Sequence, residues 1–237
     1  MQRNTDLATL RVAVTGGTSG LGLALVRHLT AHGARVAFVA RTAEAVERIA
    51  GETDAVGIVG DVGRKDDIYP IALQVTGNLQ GLDVLINTAS SLGPVPRAPL
   101  ADTACEQLER ALAVNVLGPF RLTRALFGAL AASAREGRGA VVINISSDAA
   151  INPYRGWGAY GASKAALHHL SAIWDQEAAD DGITFLSLDP GDMDTPLHAT
   201  AVPEADPAAL KRPEAAAAEI VQALLAALPR PIEAVAP

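Results

Sequence analysis

Six short runs of aliphatic and β-branched residues divide the chain, at 11–15, 35–40, 56–60, 84–88, 140–146 and 184–189. Each is apolar almost throughout. A strand with one wet face would alternate, so these runs predict strands covered on both sides. Longer helical patterns lie between them, near 20–32, 43–51, 64–78, 102–135 and 159–180, with one more at 213–228. Strands alternating with helices predict an α/β fold, a doubly wound parallel sheet of right-handed crossovers with helices on both faces. No internal repeat or low-complexity linker interrupts the pattern, and 1–237 is expected to form a single domain. Two segments break the alternation: 90–101 is rich in Ser and Pro, and 189–213 is studded with Pro. Both are expected to be loops over the carboxyl ends of the strands, where open α/β sheets bind ligands.

Composition narrows the classes. At 237 residues the chain suits one large domain with a real core. Hydrophobic content is 49% and aromatic content only 4%, so that core must be built from Ala, Val, Leu and Ile. A net charge of −7, with no long basic run, argues against a nucleic-acid surface. One cysteine, Cys105, excludes an internal disulfide and fits a reducing compartment. It falls in an ordinary helical stretch and is not expected to be a catalytic thiol. The N-terminus lacks a signal-peptide core, and no apolar stretch approaches the roughly 20 residues that span a bilayer. A cytoplasmic location with no membrane partner is the expectation.

Two local patterns carry chemistry. After the first strand comes TGGTSGLG, Thr15 to Gly22, opening a helix. Its glycines let the chain turn tightly and let a pyrophosphate approach backbone N–H groups at a helix N-terminus. In the second pattern, GAYGASKAAL, Tyr160 and Lys164 stand four residues apart, which puts them on one face of a helix. Ser147 lies thirteen residues before Tyr160. A free phenol has a pKa of about 10, and a nearby ammonium favours the phenolate, so Lys164 is expected to lower the Tyr160 pKa for acid/base work. A Tyr/Lys pair at this spacing would arise by chance in about 4% of such chains, and the glycine turn in the right place makes chance a poor account.

Together these residues resemble the classical short-chain dehydrogenase/reductase family, whose fold is a Rossmann-like sheet. The resemblance runs from Arg11 to about Leu228 and rests on T-G-x-x-x-G-x-G at 15–22, the Tyr160/Lys164 pair and Ser147. It implies that Gly16, Thr18, Ser19, Gly20, Leu21 and Gly22 bind cofactor phosphates and that Asp61 and Val62 contact the adenine. It further implies that Asn87 and Ala89 line the cofactor, and that Pro190, Gly191, Met193 and Thr195 hold the nicotinamide with Tyr160 and Lys164. Asn115 matches the asparagine that completes a catalytic tetrad, anchoring a water between Lys164 and solvent. In that scheme Tyr160 exchanges the proton, Lys164 tunes it and holds the ribose, and Ser147 hydrogen-bonds the substrate oxygen. Two departures stand out. The usual Asn-Asn-Ala-Gly reads Asn87-Thr88-Ala89-Ser90, and the tail LPRPIEAVAP lacks the usual ending, so a seventh strand is expected to be short or absent.

The end of the second strand reads RVAFVART, with Ala40 where NAD enzymes of the family carry Asp and Arg41 following. A guanidinium suits the 2′-phosphate of NADP, so NADP (NADPH) is favoured over NAD. The expected activity is hydride transfer between NADPH and a small carbonyl (ketone or aldehyde) substrate or its alcohol. Pro153, Tyr154, Trp157 and, at the rim, Arg155 are expected to wall the pocket, under a flap at about 192–212 bearing Met193, Leu197 and Val202. Two rivals remain at this point: an NAD-linked alcohol dehydrogenase on the same scaffold, and a non-catalytic dinucleotide-sensing regulator. No metal is expected, because Asp189, Asp192 and Asp194 overlap the Pro190-Gly191 segment without the length of a cation loop. The family commonly pairs helices equivalent to 102–135 and 159–180 across a two-fold axis, which implies a homodimer or homotetramer.

Overall fold

The structure, a computed structural model, describes residues 7–228. Its strands are β1 Arg11–Thr15, β2 Arg35–Ala40, β3 Val56–Val59, β4 Val84–Asn87, β5 Ala140–Ile145 and β6 Ile183–Leu188. They form one sheet in the order β3-β2-β1-β4-β5-β6, and every pair is parallel. The helices are α1 Gly20–Ala31, α2 Ala43–Glu52, α3 Ile68–Leu79, α4 Cys105–Leu112, α5 Gly118–Arg135, α6 Gly158–Glu177, α7 Pro196–Ala201 and α8 Pro213–Ala227. The chain order reverses between β1 and β4, which makes a crevice at their carboxyl ends.

Burial follows the strand pleat. Val12 and Val14 face a core with Leu25, Ile220 and Leu224 of α1 and α8, while Ala13 faces the opposite core with Ile71, Leu122 and Leu126 of α3 and α5. Small Ala13 and Ala37 let α3 and α5 lie close, and every residue of β4 and β5 is buried. At the amino end of β4, Asp83 is fully buried and binds Arg11 at 2.7 Å and Arg138 at 2.9 Å, with Ser133 also bonded to it. Burial alone would raise the Asp83 carboxyl, but its bonds to Arg138, Arg11 and Ser133 outweigh that and hold it well below the usual carboxylate range. This cluster lies at the opposite end of the strands from the crevice.

The apolar runs overshoot the strands at their carboxyl ends. Gly60, Thr88, Ser146 and Asp189 lie just past strand ends, where the chain turns toward the crevice. The stretch expected as one helix over 102–135 is broken: α4 and α5 are joined by a π turn, Ala113–Leu117. Pro119 has no N–H for the Asn115 carbonyl four residues back, and the Gly118 N–H reaches Ala113 instead. The tail 229–237, on which the expectation about a seventh strand falls, lies outside the described residues. No helix among the described residues is long and apolar enough to cross a membrane.

Candidate active site

A cleft of about 1040 Å³ opens over the carboxyl ends of the strands. At one end is the turn between β1 and α1. Gly16 holds φ at 72°, a left-handed conformation that favours glycine. A Cβ on Gly22 would run into the Gly16 carbonyl oxygen, so this helix turn closes against the loop only with glycine there. The Thr15 hydroxyl accepts the N–H groups of Thr88 and Ala89 at 3.1 and 3.2 Å, tying the turn to the loop after β4. Ser19 caps α1 without a side-chain bond to its first amides, which leaves those donors for an anion. Thr18, Ser19, Gly20, Leu21 and Ala89 all line the cleft with Gly16 and Gly22.

Arg41, exposed just beyond β2, borders the same end. Asp61 and Val62 follow β3, and Arg110 of α4 binds the Asp61 carboxylate at 2.8 Å. Burial would raise the Asp61 carboxyl, but the bonds from Arg110 and the Gly63 N–H, with the charges of Arg110 and Arg41, lower it. Arg110 was not legible as a site residue: it has no motif of its own and arrives from α4 by packing.

Tyr160 and Lys164 project from α6 and line the middle of the cleft with Ser147 and with Pro190, Gly191, Met193 and Thr195. Lys164 is 2% exposed, its ammonium donates to the Ile145 carbonyl at 2.7 Å, and it lies 5.5 Å from the Tyr160 ring centroid. Burial lowers the Lys164 pKa to about 8, against the opposing charge of Asp189. The expectation for Tyr160 is reversed. Burial pushes its phenol up to about 12, and hydrogen bonding to Ser147 and Ser90 only partly offsets this. The shielded phenol gives up more hydration on ionising than those bonds return, and the charges of Asp189 and Asp148 push the same way. Ser147 also caps a short turn, its hydroxyl accepting the Ala149 N–H at 3.2 Å.

Two expected residues lie behind the wall. The Asn87 side chain is buried within the sheet and donates to Asn144 at 2.8 Å, leaving its own carbonyl oxygen without a partner. Asn115 sits in the π turn with both amide protons used, on the Ser91 carbonyl and the Ser163 hydroxyl, each at 2.8 Å. Its oxygen accepts the Ser91 N–H, so its side chain braces the loop after β4 against α6. Tyr154 and Trp157 line the cleft; Pro153 and Arg155 do not, and Arg97 supplies the rim cation instead. The flap is closed at its base by paired bonds between Lys211 and the backbones of Asp192 and Asp194, both 3.0 Å. Met193, Leu197 and Val202 all face the cleft. His28 near the end of α1 and His32 just past it stack at 4.5 Å, and their spacing is H-x-x-x-H. Among the described residues no group of three potential ligands surrounds a metal position.

Comparison with known proteins follows the same lines. The family description "short chain dehydrogenase" matches residues 11–206. The chain is 34% identical over 194 residues to 2-(R)-hydroxypropyl-CoM dehydrogenase of Xanthobacter autotrophicus, covering 79% of this chain and 76% of that one. A short-chain dehydrogenase from Streptomyces avermitilis superposes with a TM-score of 0.79 at 31% identity, over 91% of this chain and 84% of the other. An alcohol dehydrogenase from the archaeon Thermococcus sibiricus, complexed with 5-hydroxy-NADP, has a TM-score of 0.80 at 25% identity, over 94% and 93%.

Proposed function

The chain belongs to the short-chain dehydrogenase/reductase family, oxidoreductases of CH–OH and C=O groups, and from that premise we propose an NADP-dependent reductase of small ketones or aldehydes. The observation that carries the reading is the meeting of Tyr160, Ser147 and Lys164 on one wall of the cleft, with the glycine turn and Arg41 at its far end. The residues fit a dinucleotide phosphate: uncapped amides at the start of α1, a turn that admits no side chain at Gly22, and a cation with no acid at 40–42. When bound, the nicotinamide supplies hydride to a carbonyl carbon or takes it from an alcohol.

The chain's own residues handle the proton. A phenol held near 12 stays protonated at neutral pH, so Tyr160 is loaded as a donor to an alkoxide forming within its reach. Ser147, already a donor and acceptor in this corner, fixes the substrate oxygen. Lys164, fastened by Ile145, places a positive charge under the Tyr160 ring and favours the phenolate left after transfer. Leu92, Ala149 and Ala201 pack around Tyr160 with Trp157 and Val202, keeping water from the reacting oxygen and favouring an apolar substrate body. Asn115 serves as a brace in this scheme.

A panel of small ketones and aldehydes, followed by NADPH absorbance, tests the reading. Turnover with at least one compound, faster with NADPH than NADH, is expected. Tight NADPH binding with no consumption across the panel would favour a dinucleotide sensor.

A further inference from the structure

Three segments converge on one guanidinium at the substrate end of the cleft. Arg97, in the loop after β4, lies with its Cζ 4.8 Å above the Trp157 ring, and Trp157 meets Tyr160 edge to face at 5.6 Å. Arg97 also reaches Glu204 of the flap, but at 3.5 Å through a single bond. The arrangement is lopsided: the Arg97 side chain is 28% exposed, whereas that of Glu204 is 71% exposed. A guanidinium carries five N–H donors, and one so far withdrawn from water gains little from one long bond to a solvated carboxylate. The other ammonium and guanidinium groups lining the cleft among the described residues sit elsewhere: Arg41 and Arg110 border the adenine end and Lys164 lies beneath Tyr160. The nearby acids do not neutralise Arg97. Asp148 accepts the Ser147 and Tyr154 hydroxyls, and Asp192 is 81% exposed beside His198.

We propose that Arg97 is a specificity-determining residue, and that the substrate is an oxo acid: a carbonyl compound whose carboxylate pairs with Arg97 while its carbonyl meets Tyr160 and Ser147. This rests on the reductase reading above. The two polar ends are separated by about one aromatic ring, Trp157, and by the apolar wall of Leu92, Ala149 and Val202, so a short aliphatic spacer joins them. In the free protein the Glu204 carboxylate holds the position that the substrate's carboxylate takes. The Trp157 ring beneath Arg97 restrains the guanidinium, which favours two parallel bonds to a carboxylate.

The test uses 4-oxopentanoate, 5-oxohexanoate and 6-oxoheptanoate against their methyl esters, with kcat/KM from NADPH oxidation and binding to the NADPH-loaded protein by calorimetry. Wild type should prefer at least one acid to its ester. Arg97→Met should cut that acid-to-ester ratio by about 10- to 100-fold, the scale of a charge-assisted bond pair. Glu204→Gln should raise the acid's kcat/KM a few-fold by removing the competing carboxylate. Equal use of acid and ester throughout the series, or an equal loss of both in Arg97→Met, would overturn the proposal and leave Arg97 as packing for Trp157. If no compound of this series turns over, binding decides the site, and the reductase reading is judged separately on the wider ketone and aldehyde panel. Acid binding lost in Arg97→Met would still support the site, and no binding of any acid would overturn it.

Discussion

A guanidinium at position 41, with no carboxylate in the same turn, makes the choice between NADPH and NADH a one-residue experiment. Arg41→Ala should raise the NADPH KM by roughly 10- to 150-fold, the worth of a charge-assisted bond pair, with NADH much less affected. Equal loss with both cofactors would make Arg41 structural. Lys164 offers a second test, because burial and not a partner sets its ionisation. Its folded pKa of about 8 lies below the unfolded value of 10.5, so between those limits the unfolded chain holds more protons and stability rises with pH. Urea unfolding of the cofactor-free protein should therefore show a gain of about 1–3 kcal/mol from pH 8 to 10 that Lys164→Met abolishes. A flat profile in the wild type would mean that the ammonium is better solvated than its burial implies.

One carboxylate pins three elements at the floor of the sheet. Asp83 joins the start of β4 to Arg11 of β1, to Ser133 near the end of α5 and to Arg138 in the turn before β5. Asp83→Ala would strand two guanidiniums and should cost about 3–5 kcal/mol in denaturant unfolding, with kcat per folded molecule retained. Because the folded Asp83 pKa is depressed, its contribution is full above the unfolded value of 3.8 and fades as pH falls below it, so the variant should show a shallower acid limb. A loss under about 1 kcal/mol would show the cluster to be solvated and weak. The inner strands were legible because buried β-strands are written as unbroken apolar runs, and the edge strands β3 and β6 keep that pattern although much of each is only half-buried. Their ends were not, since Gly60, Thr88 and Ser146 continue those runs while turning out of the sheet. The π turn depended on one relation, Pro119 four residues after Asn115, which an apolar period cannot register. Among site residues, those in contiguous motifs, such as the glycine turn and Tyr160/Lys164, were readable. Arg97 and Arg110 were hidden because packing brings them from distant segments, and the inward turns of Asn87 and Asn115 follow from hydrogen bonds made across the fold.

At the scale of the whole molecule, α5 and α6 carry the partly buried rings of Phe127 and Trp174, with Ile173 39% exposed beside them. We expect that face to join two copies about a two-fold axis, so light scattering at micromolar concentration should give at least a dimer mass; an active monomer would refute it. The proposed reductase completes carbonyl reduction by handing over the Tyr160 proton. Tyr160→Phe keeps the ring against Trp157 and removes only the hydroxyl. Its kcat on a good carbonyl substrate, measured beside NADPH affinity, is the most direct test. A kcat loss of at least about 10²-fold is expected, with NADPH affinity within a few-fold of wild type. Near-normal turnover in Tyr160→Phe would contradict it.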